Sequence, residues 1–149
     1  MSVETITTIS PTTNKPVVTR NGISTSDLEL LPQVATEAFL RFKKTTLAER
    51  QAIVKNALKL LNDKQDVLAK ELTEQMGRPI AYTAKEVTTA VKRGEYLLRI
   101  SEDVFKDTDG EAEKGFKRFI RKVPVGPVLI LFAWNVSGIS NERSIADIS

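Results

Sequence analysis

The stretch Val123–Asn135, VPVGPVLILFAWN, decides how the rest of the chain is read. Its residues Val128 to Trp134 are apolar without a break, and Pro124, Gly126 and Pro127 precede them. A short apolar run behind Pro/Gly punctuation, rich in branched and aromatic side chains, has the pattern of a strand buried on both faces. A buried helix is the competing reading. The run is short for one, and two prolines so close to its start cannot donate to a helix ladder. A strand covered on both faces belongs in a mostly parallel sheet, and ligands bind beyond the carboxyl ends of such strands. Asn135 therefore stands where a site would be built.

Composition narrows the chemistry. The chain has 149 residues, of which 41% are apolar and 28% charged, as in an ordinary globular domain. Twenty-two basic and 19 acidic side chains leave a net charge of +3, too slight to call for nucleic acid. There is no Cys and no His. That removes disulfides, thiolate nucleophiles, thiolate or imidazole metal ligands and histidine acid–base catalysis from anything this chain does alone. No apolar run approaches a membrane span and the N-terminus has no hydrophobic signal region, so a cytoplasmic protein is expected.

Upstream of the decisive stretch the chain divides into readable pieces. Residues 1–20, rich in Thr, Ser and Pro, suit either two short edge strands around a turn or a loose arm, and Asn21-Gly22 is a turn signal. A first helix is expected over 26–45, capped by Ser26 or Asp27, with Pro32 in or near its first turn. Thr46 opens a second helix with a capping box closed by Glu49. Ile53, Val54, Ala57, Leu58 and Leu61 form its apolar stripe, while Arg50, Lys55 and Lys59 face water. A third helix runs from about Asp63 to Met76 and ends at Gly77, placed for a left-handed residue, with Pro79 beyond it. A long fourth helix covers Ile80 to about Phe105, and Gly94 in its stripe marks a close helix contact or a tolerated weak spot. Asp107–Gly110 reads as a turn. Residues 115–122, GFKRFIRK, read as a solvated edge strand guarded by its charges, in preference to a nucleic-acid surface. Residues 136–149 show no period.

The order of these signals carries a resemblance. LAER (Leu47–Arg50) starts one helix, EQMGRP (Glu74–Pro79) ends the next, and a long helix and a basic strand lead to PVGPVLILFAWN. Over roughly residues 8–135 this resembles the N-terminal part of an aldehyde dehydrogenase. The resemblance implies an α/β architecture: the N-terminal helical part of an aldehyde dehydrogenase-like Rossmann domain, with its sheet incomplete. Residues 1–20 would be the arm or edge strands, 21–135 the cofactor-domain part, 115–122 a bridging strand for oligomerisation, and 136–149 a tail without homology. It also implies oxidation of an aldehyde to a carboxylic acid with NAD or NADP. By this likeness Phe132, Ala133, Trp134 and Asn135 line the cofactor. The Asn135 side-chain amide would stabilise the oxyanion of a thiohemiacetal, a donor worth about 3 kcal/mol in such a role. Asn135 taken alone equally suits a turn at a strand end.

The likeness stops at Val136-Ser137, where the family continues with Tyr or Phe and then Pro. The cysteine nucleophile, glutamate base, ribose-contacting lysine and pyrophosphate loop of the family are not in this sequence, and without a thiolate the mechanism cannot run on this chain alone. The expectation is an inactive, truncated piece of an aldehyde dehydrogenase with no metal. The alternative is a non-catalytic module that binds full-length subunits as a homo- or hetero-oligomer.

Overall fold

The computed structural model describes residues 4–131. β1 (Thr5–Ile9) and β2 (Pro16–Asn21) pair antiparallel, with Thr7 opposite Thr19 and their hydroxyls 3.0 Å apart. Residues 4–21 therefore take the paired-strand form and not the loose one. Asn14, at φ 58°, supplies the left-handed position of the connection. Asn21-Gly22 is not a turn. Asn21 is the last strand residue and the Gly22 N–H extends the ladder to the Glu4 carbonyl at 2.7 Å. A Cβ on Gly22 would lie 2.9 Å from that same oxygen, so the glycine serves close approach of the two backbones.

Helix α1 (Thr25–Phe42) begins at Ser24, two residues before the earlier of the two caps expected. The Ser24 hydroxyl accepts from the Asp27 N–H at 3.1 Å. The sequence Ser-Thr-Ser-Asp offers several equivalent capping side chains, and the helix takes the first. Pro32 consequently falls inside the helix and not in its first turn. It removes the amide that would bond the Leu28 carbonyl. No residue of α1 is buried.

Helix α2 (Leu47–Asp63) starts with the expected reciprocal cap: the Thr46 hydroxyl accepts from the Glu49 N–H, and the Glu49 carboxylate accepts from the Thr46 N–H at 2.7 Å. Helix α3 (Gln65–Met76) ends on Gly77 at φ 72°, whose N–H reaches the Thr73 carbonyl at 2.9 Å. Helix α4 (Ile80–Val104) packs against both α2 and α3. Its buried residues Thr83, Val87, Ala90, Val91, Gly94, Leu98 and Ser101 recur at steps of three and four, which makes one continuous inner stripe.

Val54, Leu58 and Leu98 form the core cluster, with Leu61 against it. Burial of each of these side chains contributes roughly 1.5–3 kcal/mol. Gly94 lets α2 and α4 approach, since a Cβ there would stand 2.5 Å from Leu58 Cδ2. Across this seam Gln51 Nε2 donates to Ser101 Oγ at 2.8 Å, and on the side of α4 that meets α3 the fully buried Thr83 hydroxyl donates to the Ile80 carbonyl at 3.0 Å. At the α3–α4 corner Arg78 forms an ion pair with Glu86.

The region after α4 departs from what was expected. Asp107–Gly110 is not a simple turn, because Thr108–Asp109 form β3 and pair antiparallel with β4 (Phe119–Ile120). The reversal lies at Lys114-Gly115, between the bridged residues Glu113 and Phe116, with Gly115 at φ 86°. A negative φ followed by a glycine at positive φ is the pattern of a type II turn. The expected strand 115–122 is thus reduced to β4, because its first residues make the turn. Of the expected strand over 128–134, residues 132–134 lie outside the described residues, and 128–131 form no backbone ladder with another described segment. The side chains of Val128, Leu129 and Leu131 are 62–86% exposed. Extended chain becomes a strand only through a hydrogen-bonded neighbour, and among the described residues none lies beside it. Among the described residues the fold is helix-rich, with two small two-stranded sheets.

Candidate functional site

Phe132, Ala133, Trp134 and Asn135 lie outside the described residues, as does the tail 136–149. The structure does define how the chain approaches them. After β4, the Arg121 guanidinium makes a two-pronged contact with Asp107, with Nε 3.0 Å from Oδ1 and Nη2 2.6 Å from Oδ2. The bonds from Arg121 hold the Asp107 carboxyl below its ordinary range. The same guanidinium sits over the Phe119 ring, 4.8 Å from its centroid. One residue on, Lys122 Nζ donates to the Val104 carbonyl at the end of α4. Cations at a helix C-terminus meet the unsatisfied carbonyls and the negative end of its dipole. The basic residues of GFKRFIRK are therefore partly structural, and Arg118 likewise pairs with Glu113.

From this double clasp, residues 122–128 run past the C-terminal ends of α1 and α4 and the start of α2. Together they enclose a cleft of about 550 Å³, a size typical of small-molecule sites. Phe39, Phe42, Phe105 and Leu47 make its apolar wall; Lys43, Arg50, Lys106, Lys122 and Glu102 supply charge. Arg50 was expected to face water, but it is partly buried in this wall. Its Nη1 donates to the Thr45 carbonyl at 3.1 Å, while its Nε is buried without a hydrogen-bond partner. A buried donor left unpaired costs about 1–3 kcal/mol. Sequence reasoning missed the cleft because its walls come from residues as far apart in the chain as Phe39 and Val128. The one local hint was Arg50 directly after the capping glutamate, on the turn that faces α4.

No group of three or more acidic side chains among the described residues is placed to hold a metal. Nor do the described residues form a dinucleotide cradle: none of the left-handed glycines Gly77, Gly115 and Gly126 links a strand to the N-terminus of a helix. No helix among them is long and apolar enough to cross a membrane.

The chain belongs to the aldehyde dehydrogenase family, whose profile matches residues 1–147. Succinate-semialdehyde dehydrogenase [NADP(+)] of Mycobacterium avium (strain 104) is 29% identical over 133 residues, covering 87% of this chain and 28% of that protein. Glutarate-semialdehyde dehydrogenase of Pseudomonas putida is 24% identical over 132 residues, again covering 28% of its length. The salicylaldehyde dehydrogenase structure from Pseudomonas putida G7 superposes with a TM-score of 0.87 at 17% identity over 97% of this chain and 30% of that one. The structure of 3,6-anhydro-L-galactose dehydrogenase in complex with NAP gives 0.85 at 21% identity. The chain thus spans less than a third of the length of these relatives, and it has their fold over that span.

Proposed function

We propose that the chain supplies the N-terminal part of an NAD(P)-dependent aldehyde dehydrogenase acting in the cytoplasm, in which an aldehyde is oxidised to a carboxylic acid. The observation that carries this reading is the family match over 1–147. The activities for which the relatives are named, on succinate and glutarate semialdehydes, favour a small aldehyde as substrate. In this reading the backbone of Phe132–Trp134 borders the cofactor, NAD or NADP. The Asn135 amide donates to the oxygen that becomes negative when the aldehyde is attacked. That donor acts without moving a proton; it lowers the barrier because its dipole is already aimed where charge develops. The attacking thiolate is not among these 149 residues, which contain no Cys. This chain's part is therefore positioning and oxyanion stabilisation.

The test is a chimera. Residues 1–135 replace the corresponding segment of a succinate-semialdehyde dehydrogenase, and reduction of NAD or NADP is followed at 340 nm. The isolated 149-residue chain is expected to show no turnover. The chimera is expected to turn over, and Asn135→Ala is expected to lower its kcat by about 100-fold or more. A chimera whose kcat is unchanged by Asn135→Ala refutes the assigned role.

A second reading is favoured by the exposed β3–β4 hairpin, where Phe116 and Ile120 are 69% and 68% exposed. Here the chain is a non-catalytic partner that docks on full-length subunits through this strand edge. Co-purification with a full-length relative, abolished by Ile120→Lys, distinguishes it from the first.

A further inference from the structure

The cleft behind Lys122 is lined, among the described residues, by side chains to which the aldehyde dehydrogenase reading assigns no role. We propose that it is a binding site for an amphipathic organic anion, a carboxylate on an apolar body. The apolar body fits the wall made by Phe39, Phe42 and Phe105, in a space of about 550 Å³. The carboxylate fits Arg50.

The assignment rests on two separate observations. The first is charge: among the described residues, four cations line the cleft against the single carboxylate of Glu102. Three of the cations have a partner among the described residues. Lys106 bonds Asp103, Lys122 bonds the Val104 carbonyl, and Lys43 lies over the Phe39 ring. An ammonium has three N–H donors, so these contacts leave donors over. Counting Asp103 with Glu102, the wall still carries an excess of two positive charges. The second observation is Arg50 Nε, a donor taken out of water and given no acceptor. A guanidinium offers its donors as a fork that matches the two oxygens of a carboxylate, so an arriving anion satisfies Nε and gains a charge-assisted bond at once. An uncharged apolar molecule would leave Nε unpaired.

Decanoate is the probe, titrated into the intact chain by isothermal calorimetry, with decanol as the uncharged control. The expected result is saturation at one decanoate per chain, weakened by added salt, with decanol at least tenfold weaker. Arg50→Gln is expected to weaken decanoate by about tenfold or more while leaving decanol unchanged. If that variant loses its far-ultraviolet helical signal, Lys43→Met takes its place and is expected to weaken decanoate measurably; Lys43 caps the end of α1 through its backbone N–H, which the substitution keeps. No saturable heat, equal affinity for decanol, or variants that bind decanoate as the wild type does would each overturn the assignment.

Discussion

Replacing Gly94 by alanine tests whether the α2–α4 seam is set by backbone approach or only tolerates a glycine. Two effects oppose each other. Alanine in a helix interior is favoured over glycine by about 0.8–1 kcal/mol. Against that, the new Cβ would stand 2.5, 3.0 and 3.3 Å from Leu58 Cδ2, Cδ1 and Cγ. Leu58 is 4% exposed and held by Val54 and Leu98, so its methyls have little room to withdraw. Overpacking of a filled core costs typically about 1–3 kcal/mol. The net expectation is a loss of about 1 kcal/mol. The sign must reverse once Leu58 is shortened. Leu58→Ala alone should cost about 2–5 kcal/mol, and adding Gly94→Ala to it should then restore about 1 kcal/mol. The coupling of about 2 kcal/mol between the two positions is what a double-mutant cycle reads, by urea unfolding followed at 222 nm with a common m-value. Stabilisation of the wild-type background by Gly94→Ala would refute the reasoning, because the clash would then be negligible.

Other expectations follow from local geometry. Thr46→Ala removes the cap of α2 and should cost about 1 kcal/mol in urea unfolding. The bonds from the Thr46 N–H and hydroxyl hold the Glu49 carboxyl below its ordinary 4.5. A depressed carboxylate stabilises the fold above its unfolded value, and that contribution disappears as pH falls through the folded one. The Tm difference between the wild type and Glu49→Gln should therefore be present at pH 7 and shrink below pH ~4; a gap that is constant down to pH ~3 would refute the cap's ionic part. Gly77→Ala places a Cβ 2.7 Å from Pro11 Cγ at φ +72°, and should destabilise by about 1–2 kcal/mol, read as a lower urea midpoint.

The elements legible in the sequence are those written by neighbours in the chain. The Thr46–Glu49 cap, the Gly77-Arg-Pro79 stop and the stripe through Gly94 each follow from residues within a turn or two, and the structure has them. Elements that depend on distant partners were misjudged. Ser24, Ser26 and Asp27 can all cap, and the choice among them placed Pro32 inside α1. Lys114-Gly115 marked a hairpin, but the aromatic and basic residues after it read more strongly as one longer strand. The apolar pattern of Val128–Leu131 is written for neighbours that the described residues do not provide. Arg50 looked like a solvent-facing cation because its cleft is assembled by α1, α4 and residues 122–128, none adjacent to it in sequence. The strand pattern put Asn135 at the end where a site would be built, but its oxyanion role came only through the family likeness.

The uneven burial of the helices has a consequence for how this polypeptide comes apart. α4 holds seven buried residues and touches both α2 and α3, whereas α1 holds none. Limited proteolysis within 25–42 should therefore be an early event that leaves a resistant kernel spanning α2 to α4. A nick within 80–104 requires that kernel to open as a whole.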